Sequence, residues 1–285
     1  MISKLAWVSA REARGLDDDE AIALKVLRES GVHVDVIEWD EPSADWAAYD
    51  RVAIRSTWDY VDRIAEFGPW IDRVAAQTEL VNPPAMLRWS MDKRYLAELE
   101  ASGIPITSTD FVAPGEQPVF PSGKFVVKPA IGAGSREAAS YSNDQHEFAA
   151  AHVARLHAAG IVVLVQPFVN SVATDGEWPM LFFNGEYSHC ASKRVNLPHA
   201  ELVEDFFAAE DNTFHTASAD QIAVAQAAVD FVAEKFGTPM YARVDLVRGD
   251  GGEYRVMEVE LVEPSLFLPF ADAVALEKFA RAFIG

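Results

Sequence analysis

Carboxylates recur within one apolar, alternating stretch near the end of the chain. In "EYRVMEVELVEPSLF" (253–267), Glu258, Glu260 and Glu263 stand among valine, methionine and leucine. Alternation with a period of two predicts a β-strand with one apolar face. The acidic face of such a strand belongs either at a solvated surface or around a cation.

The stretch before it, "YARVDLVRGD", supplies a partner strand. A two-residue turn at 251–252 would make a hairpin in which Asp245 faces Glu258 and Arg243 faces Glu260. Opposed carboxylates repel each other, and one arginine cannot offset three of them. Oxygen ligands without histidine favour Mg²⁺ over zinc, and a solvated acidic face is the alternative. The same register turns an apolar set to the opposite face: Val244, Leu246, Met257, Val259 and Leu261.

A magnesium–phosphate site also needs cations, and the few lysines are informative. Lys128 ends the apolar strand "FVVKPA", and the glycine-rich "AIGAGSRE", which contains Ser135, follows at once. Glycines allow close backbone approach to phosphates, but the segment is neither a Walker A loop nor a Rossmann fingerprint. Lys93, on a predicted helix capped by Ser90, and Lys193, at the end of an Asn-Gly hairpin, are further candidates. Each feature alone is equally typical of a surface lysine or an ordinary loop.

Composition excludes several classes of function. The 285 residues include 24 Lys and Arg against 44 Asp and Glu, a net charge of −20, which disfavours nucleic acid and anionic membranes as partners. Cys190 is the only cysteine, so no intrachain disulfide forms and a reducing cytoplasm fits. The apolar runs are too short for a signal peptide or a bilayer span. A cytoplasmic protein is therefore predicted.

The elements that position these residues divide the chain into three parts. Strands alternate with helices up to "NPPA" (82–85), which predicts a small parallel sheet. Later segments mix helices with hairpins, so the predicted fold class is α/β (α+β). We expect a Rossmann-like domain over 1–84, a central subdomain with the glycine-rich loop over 85–165, and a C-terminal subdomain with the metal site over 166–285.

The order of these features resembles the ATP-grasp superfamily, in particular D-alanine–D-alanine ligase and glutathione synthetase. The resemblance runs from about Pro84 to the C-terminus and implies an ATP-grasp fold behind the Rossmann-like domain. It implies ATP contacts by Lys93 and Lys128 at the phosphates, Ser135 in the covering loop, Gln166, Phe168 and Val169 at the adenine, and Glu177 at the ribose. It also implies Lys193 and Arg243 at the γ-phosphate, with Asp245, Glu258 and Glu260 holding one or two Mg²⁺, or Mn²⁺ instead. In the ligases named, the last of these metal ligands is usually Asn, so Glu260 adds a negative charge.

Four segments together resemble D-cycloserine synthetase, an O-ureidoserine cyclo-ligase: "RSTWDY", "VQPFV", "HCASKR" and "EVELVEPSLFL". "RSTWDY" follows a strand of the first domain, where loops tend to contact ligand. Arg55, next to Ser56, could pair with a substrate carboxylate, and Asp59 could bind an amine. Trp58 and Tyr60 could line the pocket, although packing explains both equally well.

These features predict an ATP- and Mg²⁺-dependent ligase that phosphorylates a small amino-acid-like substrate before a nitrogen attacks. Ring closure in antibiotic biosynthesis is the favoured reaction. Three alternatives stay open: an intermolecular carboxylate–amine ligase, a nucleotide-binding protein without turnover, and an acidic α/β binding protein outside the superfamily. The oligomeric state is open as well, with a homodimer as one option.

Overall fold

The computed structural model describes residues 1–195 and 210–285. Within them, three β-sheets combine with eight α-helices, which confirms the mixed α/β class. The helices are α1 (Glu20–Glu29), α2 (Ile64–Ala75), α3 (Pro84–Met91), α4 (Tyr95–Ala101), α5 (His146–Ala158), α6 (Ser171–Thr174), α7 (Ala219–Phe236) and α8 (Ala273–Ile284). Among the residues described, no helix combines the length and apolarity that a bilayer crossing requires.

The first sheet is parallel, as the alternation of strands and helices predicts. Its strand order is β2-β1-β3-β4, from β1 (Lys4–Ser9), β2 (His33–Glu38), β3 (Arg51–Ile54) and the short β4 (Glu79–Leu80). The loops that leave the carboxyl ends of β1 and β3 therefore emerge at the same edge. One of these loops contains residues 17–19, and the other contains residues 55–60.

The other two sheets are antiparallel. The second sheet has the order β5-β8-β6-β7, from β5 (Asp110–Val112), β6 (Phe125–Pro129), β7 (Ala139–Tyr141) and β8 (Val163–Pro167). The third has the order β11-β10-β9-β12-β13, from β9 (Trp178–Phe183), β10 (Glu186–Val195), β11 (Glu210–His215), β12 (Tyr241–Arg248) and β13 (Tyr254–Glu260). The Asn-Gly turn at 184–185 joins β9 to β10, and both residues have positive φ as a tight turn requires.

The hairpin of β12 and β13 confirms the predicted pairing of acids but not the predicted turn. Asp245 pairs with Glu258, and Arg243 pairs with Glu260. Instead of a two-residue turn, the loop runs from 249 to 253, and a β-bulge at Met257 shifts the register back. Because a bulge inserts one extra residue, Met257 does not join the apolar face. It lies on the acidic side, where it lines the cavity described below.

The helix predicted around Lys93 is interrupted there. Helix α3 ends at Met91 and α4 begins at Tyr95, and the Lys93 backbone N–H donates to Ala130 O at 2.9 Å. This tertiary hydrogen bond takes Lys93 out of the helical ladder. Ser90, predicted as the cap, lies inside α3, where its hydroxyl donates to Val259 O and accepts from Leu261 N.

Buried polar contacts join the first sheet to the third. Asn82, at the start of "NPPA", has a positive φ of 58° and donates its amide to Tyr241 O and Leu261 O. Helix α8 packs its aromatic residues against the first sheet, with Phe279 meeting Trp7 edge-on at a ring distance of 6.5 Å.

The three-part division of the chain at residues 84 and 165 stays a prediction.

Candidate active site

One large cavity lies where side chains from all three sheets converge. Its volume is about 420 Å³, which is the size range of a small-molecule site. It brings together most of the predicted site residues: Trp58, Lys93, Lys128, Ser135, Gln166, Phe168, Val169, Glu177, Lys193, Arg243, Glu258 and Glu260. A second, water-sized cavity of about 20 Å³ adjoins it and is lined by Tyr60, Lys93, Glu258, Glu260 and Glu263, among others.

Arg243 binds two of the predicted metal ligands at once. Its Nε donates to Asp245 Oδ1 at 2.8 Å, and its Nη2 donates to both Asp245 Oδ2 and Glu260 Oε1. Burial favours a higher pKa for Asp245, but Arg243 and then Lys193 outweigh it and hold the pKa below its usual value. Burial raises the pKa of Glu260 to about 7. Asp245 is 2 % exposed and lies behind these cations rather than in the cavity lining.

Lys193 connects two strands of the third sheet. Its Nζ lies 2.9 Å from Glu177 Oε2 and 3.2 Å from Asp245 Oδ2. The backbones of Glu177 and Lys193 also exchange two hydrogen bonds, so the pair is rigidly placed. The predicted ribose acid is therefore already paired with a predicted phosphate ligand.

Lys93 pairs with the third predicted metal ligand. Its Nζ lies 2.8 Å from Glu258 Oε1 and donates to Gly132 O at 2.6 Å. Burial would lower the pKa of Lys93, but the adjacent Glu258 carboxylate raises it above the usual value. Because Gly132 opens the glycine-rich loop, this lysine ties β13 to the loop.

Lys128 differs from the other cations of the cavity. Within residues 1–195 and 210–285, its side-chain ammonium has neither a hydrogen bond nor an ion pair, although its charge interacts at longer range with Glu258. Burial lowers its pKa below the usual value for lysine. A half-buried ammonium without a close anion is unfavourable, so this position is prepared for a ligand with negative charge.

The cavity as a whole is negatively charged. Among the residues the structure describes, five basic side chains line it (Lys93, Lys128, Arg136, Lys193 and Arg243) against eight acidic ones (Asp17, Asp18, Asp19, Glu177, Glu210, Glu258, Glu260 and Glu263). Over the same residues, no three acidic, histidine or cysteine ligands converge as they would on a bound metal, and the three predicted metal ligands Asp245, Glu258 and Glu260 are paired with cations instead. A polyanion can therefore enter favourably only together with additional positive charge.

The remaining walls suit a nucleotide. Gln166, Phe168 and Val169 follow one another along and after β8, and Gln166 is held by a 2.8 Å hydrogen bond to Thr109 Oγ1. In the glycine-rich loop, Gly134 and Ser135 have φ of 61° and 62°, which exposes their backbone to the cavity side. Arg136 of this loop pairs with Asp62, which lies between β3 and α2, at 2.9 Å.

Comparison with known proteins decides the family. The chain is 38% identical to the cycloserine biosynthesis protein DcsG of Streptomyces lavendulae, over 98% of this chain and 97% of that one. Residues 5–82 match the family described as "D-cycloserine synthetase DcsG, N-terminal domain". The crystal structure of D-cycloserine synthetase DcsG superposes with a TM-score of 0.88, at 37% identity over 99% of this chain and 98% of that one. The chain belongs to the D-cycloserine synthetase family.

More distant structures share the fold of this D-cycloserine synthetase family member. D-alanine–D-alanine ligase from Bacillus anthracis, complexed with ATP, has a TM-score of 0.62 at 15% identity, over 99% of this chain and 92% of that one. The ATP-grasp ligase PsnB, in a complex with Mg and ADP, has a TM-score of 0.61 at 16% identity, over 98% of both chains. The predicted ATP-grasp fold is thus confirmed, and the protein is an ATP-grasp ligase.

The predicted substrate loop of this family member is only partly in the site. Trp58 lines the large cavity and Tyr60 the small one, although Tyr60 also stacks on Phe67. Arg55 is 1 % exposed, lies over the rings of Trp7 and Tyr241, and donates to Pro264 O. This placement removes Arg55 from direct contact with a cavity ligand.

Two polar residues of the same loop are also engaged elsewhere. Asp59 accepts hydrogen bonds from Trp39 Nε1 at 2.9 Å and Arg63 Nη1 at 3.0 Å, outside the cavity. Ser56 donates to Asp17. The geometry therefore disfavours the predicted amine contact of Asp59, and it assigns Ser56 a role in holding the β1–α1 loop.

The sequence analysis missed several lining residues. The acidic run at 17–19 lies in the loop between β1 and α1, and Asp17, Asp18 and Asp19 line the cavity. Its position after a strand of a parallel sheet was the signal available. Glu263 stood in the opening stretch but received no role.

Proposed function

We propose that this protein is an ATP- and Mg²⁺-dependent cyclo-ligase that closes a ring in a small amino-acid-like substrate, as expected for a D-cycloserine synthetase. One observation carries the proposal: the half-buried, unpaired Lys128 and the β13 carboxylates Glu258 and Glu260 line one cavity together with the glycine-rich loop. The phosphates of a nucleotide can pair with the unpaired lysine, and the divalent cations that accompany the nucleotide can bind the excess carboxylates.

Entry of the nucleotide would exchange the ion pairs. In this proposal, phosphate oxygens bind Lys93, Lys128, Lys193 and Arg243. Three acids lose these partners and become free to hold one or two Mg²⁺. They are Glu258, Glu260 and Asp245, of which Asp245 is covered by its cations until the ligand binds. The bound Mg²⁺ supplies charge neutralisation at the β- and γ-phosphates. Gln166, Phe168, Val169 and Glu177 surround the adenosine part, and Ser135 lies in the loop above the phosphates.

The reaction then needs no protein nucleophile. A substrate carboxyl or ureido oxygen attacks the γ-phosphorus and ADP leaves; a nitrogen of the same substrate attacks the activated carbon and phosphate leaves. Positioning and charge stabilisation by the lysines and Arg243 supply the catalysis. The loop at 131–137, held to the first domain by Arg136 and Asp62, excludes water from the acyl phosphate.

A substrate panel tests this function. Phosphate release is measured with Mg²⁺-ATP and single compounds, including both enantiomers of O-ureidoserine and of O-aminoserine, and each product is analysed by mass spectrometry. We expect turnover with one organic compound alone and a product mass that corresponds to ring closure. Turnover only with two compounds, and a joined product, would instead establish the intermolecular ligase. Nucleotide binding without phosphate release from any compound would establish the non-catalytic alternative.

Two further proposals concern the cellular location of the protein and its oligomeric state. We propose a cytoplasmic enzyme, supported by the single cysteine, Cys190, which is buried and unpaired by any disulfide in the described chain. The homodimer stays a prediction.

A further inference from the structure

Glu263 is a buried carboxylate that the phosphate and metal sites leave unused. Its side chain lines both the large and the small cavity, and the residue is 8 % exposed. The described chain, residues 1–195 and 210–285, gives it no hydrogen bond and no ion pair within 4.0 Å. A carboxylate in such a place needs a cationic or hydrogen-bonding partner, since burial without one is strongly unfavourable.

The backbone around Glu263 is fixed on both sides. Tyr241 donates its hydroxyl to Val262 O at 2.8 Å, and Arg55 donates to Pro264 O. Arg243 Nη1 donates to Ser265 O at 3.4 Å. These contacts come from β12 and from the loop after β3, so the backbone that carries Glu263 is fixed in advance of any ligand.

Two further contacts pin the residues that follow. The buried Asp19 accepts hydrogen bonds from the backbone N–H groups of Leu266 and Leu268. The acidic loop after β1 therefore stabilises the same segment. A carboxylate that is nearly excluded from solvent, lies on a fixed backbone and has no partner in the described chain is better explained by recognition of a ligand than by solvation.

The charges around Glu263 indicate a cation as the ligand. Among the neighbouring charges, Glu260 has the largest effect and raises the pKa of Glu263, whereas Lys93, Arg243 and Arg55 lower it. These basic groups are already engaged: Lys93 with Glu258, Arg243 with Asp245 and Glu260, and Arg55 with a carbonyl. Burial and Glu260 together raise the pKa of Glu263 to about 8, which is the response of a carboxylate that lacks its counter-ion.

We propose that Glu263 binds the ammonium group of an α-amino-acid substrate and so selects amino acids over their des-amino analogues. This inference rests on the proposed function. In an α-amino acid, the carboxyl carbon lies only about 2.5 Å from the ammonium nitrogen. An ammonium on Glu263 therefore keeps the carboxyl group inside the cavity that Glu260 and Arg243 also line, where the transferred phosphoryl group is expected.

The test compares two substrates in two proteins. The kcat/KM values of the active O-ureidoserine enantiomer and of its des-amino analogue, 3-(ureidooxy)propanoate, are measured for the wild type and for Glu263→Gln. We expect the wild type to prefer the amino acid by a factor on the order of 10³ or more, and the variant to reduce this preference to about tenfold or less. The KM for ATP should stay unchanged. The matched control Glu29→Gln changes an exposed acid on α1 and should leave the preference intact.

Other results would overturn the inference in distinguishable ways. An unchanged preference in Glu263→Gln excludes ammonium recognition by this residue. A higher Mg²⁺ requirement with an unchanged preference would make Glu263 a metal ligand instead. If the variant has no measurable turnover, thermal shifts with a non-hydrolysable ATP analogue replace kinetics: the extra shift that the amino acid gives over its des-amino analogue should vanish, and its persistence contradicts the inference. A wild type inactive with every compound removes the proposed function and this inference together.

Discussion

Glu258→Gln is expected to lower the rate of ATP turnover about a thousand-fold or more while the protein stays folded. Glutamine keeps the shape and an oxygen that can accept from Lys93, whose Nζ lies 2.8 Å away. It removes the charge that we assign to Mg²⁺. Loss of about 4 kcal/mol of metal-dependent charge stabilisation corresponds to roughly a thousand-fold in rate. Phosphate release with the best substrate measures the effect.

The controls for this variant separate chemistry from folding. Glu100→Gln changes an exposed acid in the last turn of α4 and should retain wild-type turnover. Circular dichroism should show the native helix and strand content in both variants, with a lower Tm for Glu258→Gln because Lys93 loses its charged partner. Turnover within tenfold of the wild type in a folded Glu258→Gln protein would exclude this carboxylate from the metal site.

Lys128→Met is expected to change stability and function in opposite directions. Lys128 lies half-buried near the end of β6 without a close anion, so methionine removes an unfavourable charge and keeps most of the packing. The free energy of unfolding of the unliganded protein should rise by about 1–3 kcal/mol. Affinity for the Mg²⁺-bound ATP analogue should fall about 100-fold or more, because a buried charge pair with the phosphates cannot form.

Urea unfolding of the unliganded proteins measures the expected gain in stability, and calorimetric titration measures the expected loss of nucleotide affinity. Lys25→Met, which changes a lysine side chain that is 72% exposed on α1, should alter neither result by much. A less stable Lys128→Met protein with unchanged nucleotide affinity would show that Lys128 serves the fold and not the ligand.

Local patterns predicted much of this molecule. Period-two alternation located β12 and β13, and the Asn-Gly pair at 184–185 located the turn between β9 and β10. The opposed positions of Asp245 and Glu258 also followed from the pattern, although the five-residue loop and the bulge at Met257 did not. The longer loop shifts the pairing of the two strands, and the bulge shifts it back. The predicted pairing of Asp245 with Glu258 therefore holds although neither feature was predicted.

Long-range contacts set the limits of prediction. Nothing near Lys93 in the sequence encodes the hydrogen bond to Ala130 that interrupts its helix. Arg55 has the right type for a carboxylate ligand, but the aromatic rings of Trp7 and Tyr241 and the carbonyl of Pro264 enclose it. The role proposed for Glu263 depends on backbone contacts from Tyr241 and Asp19, which are distant in sequence. Such partners are determined by the folded chain as a whole.

Excess acid in the cavity should require Mg²⁺ for the triphosphate to bind beside Lys128. Calorimetric titration of the wild type with a non-hydrolysable ATP analogue, with Mg²⁺ and then with EDTA, tests it directly. We predict that the Mg²⁺ complex binds at least about 100-fold more tightly than the metal-free analogue, a difference of about 2.8 kcal/mol. Equal affinities under the two conditions would contradict the account.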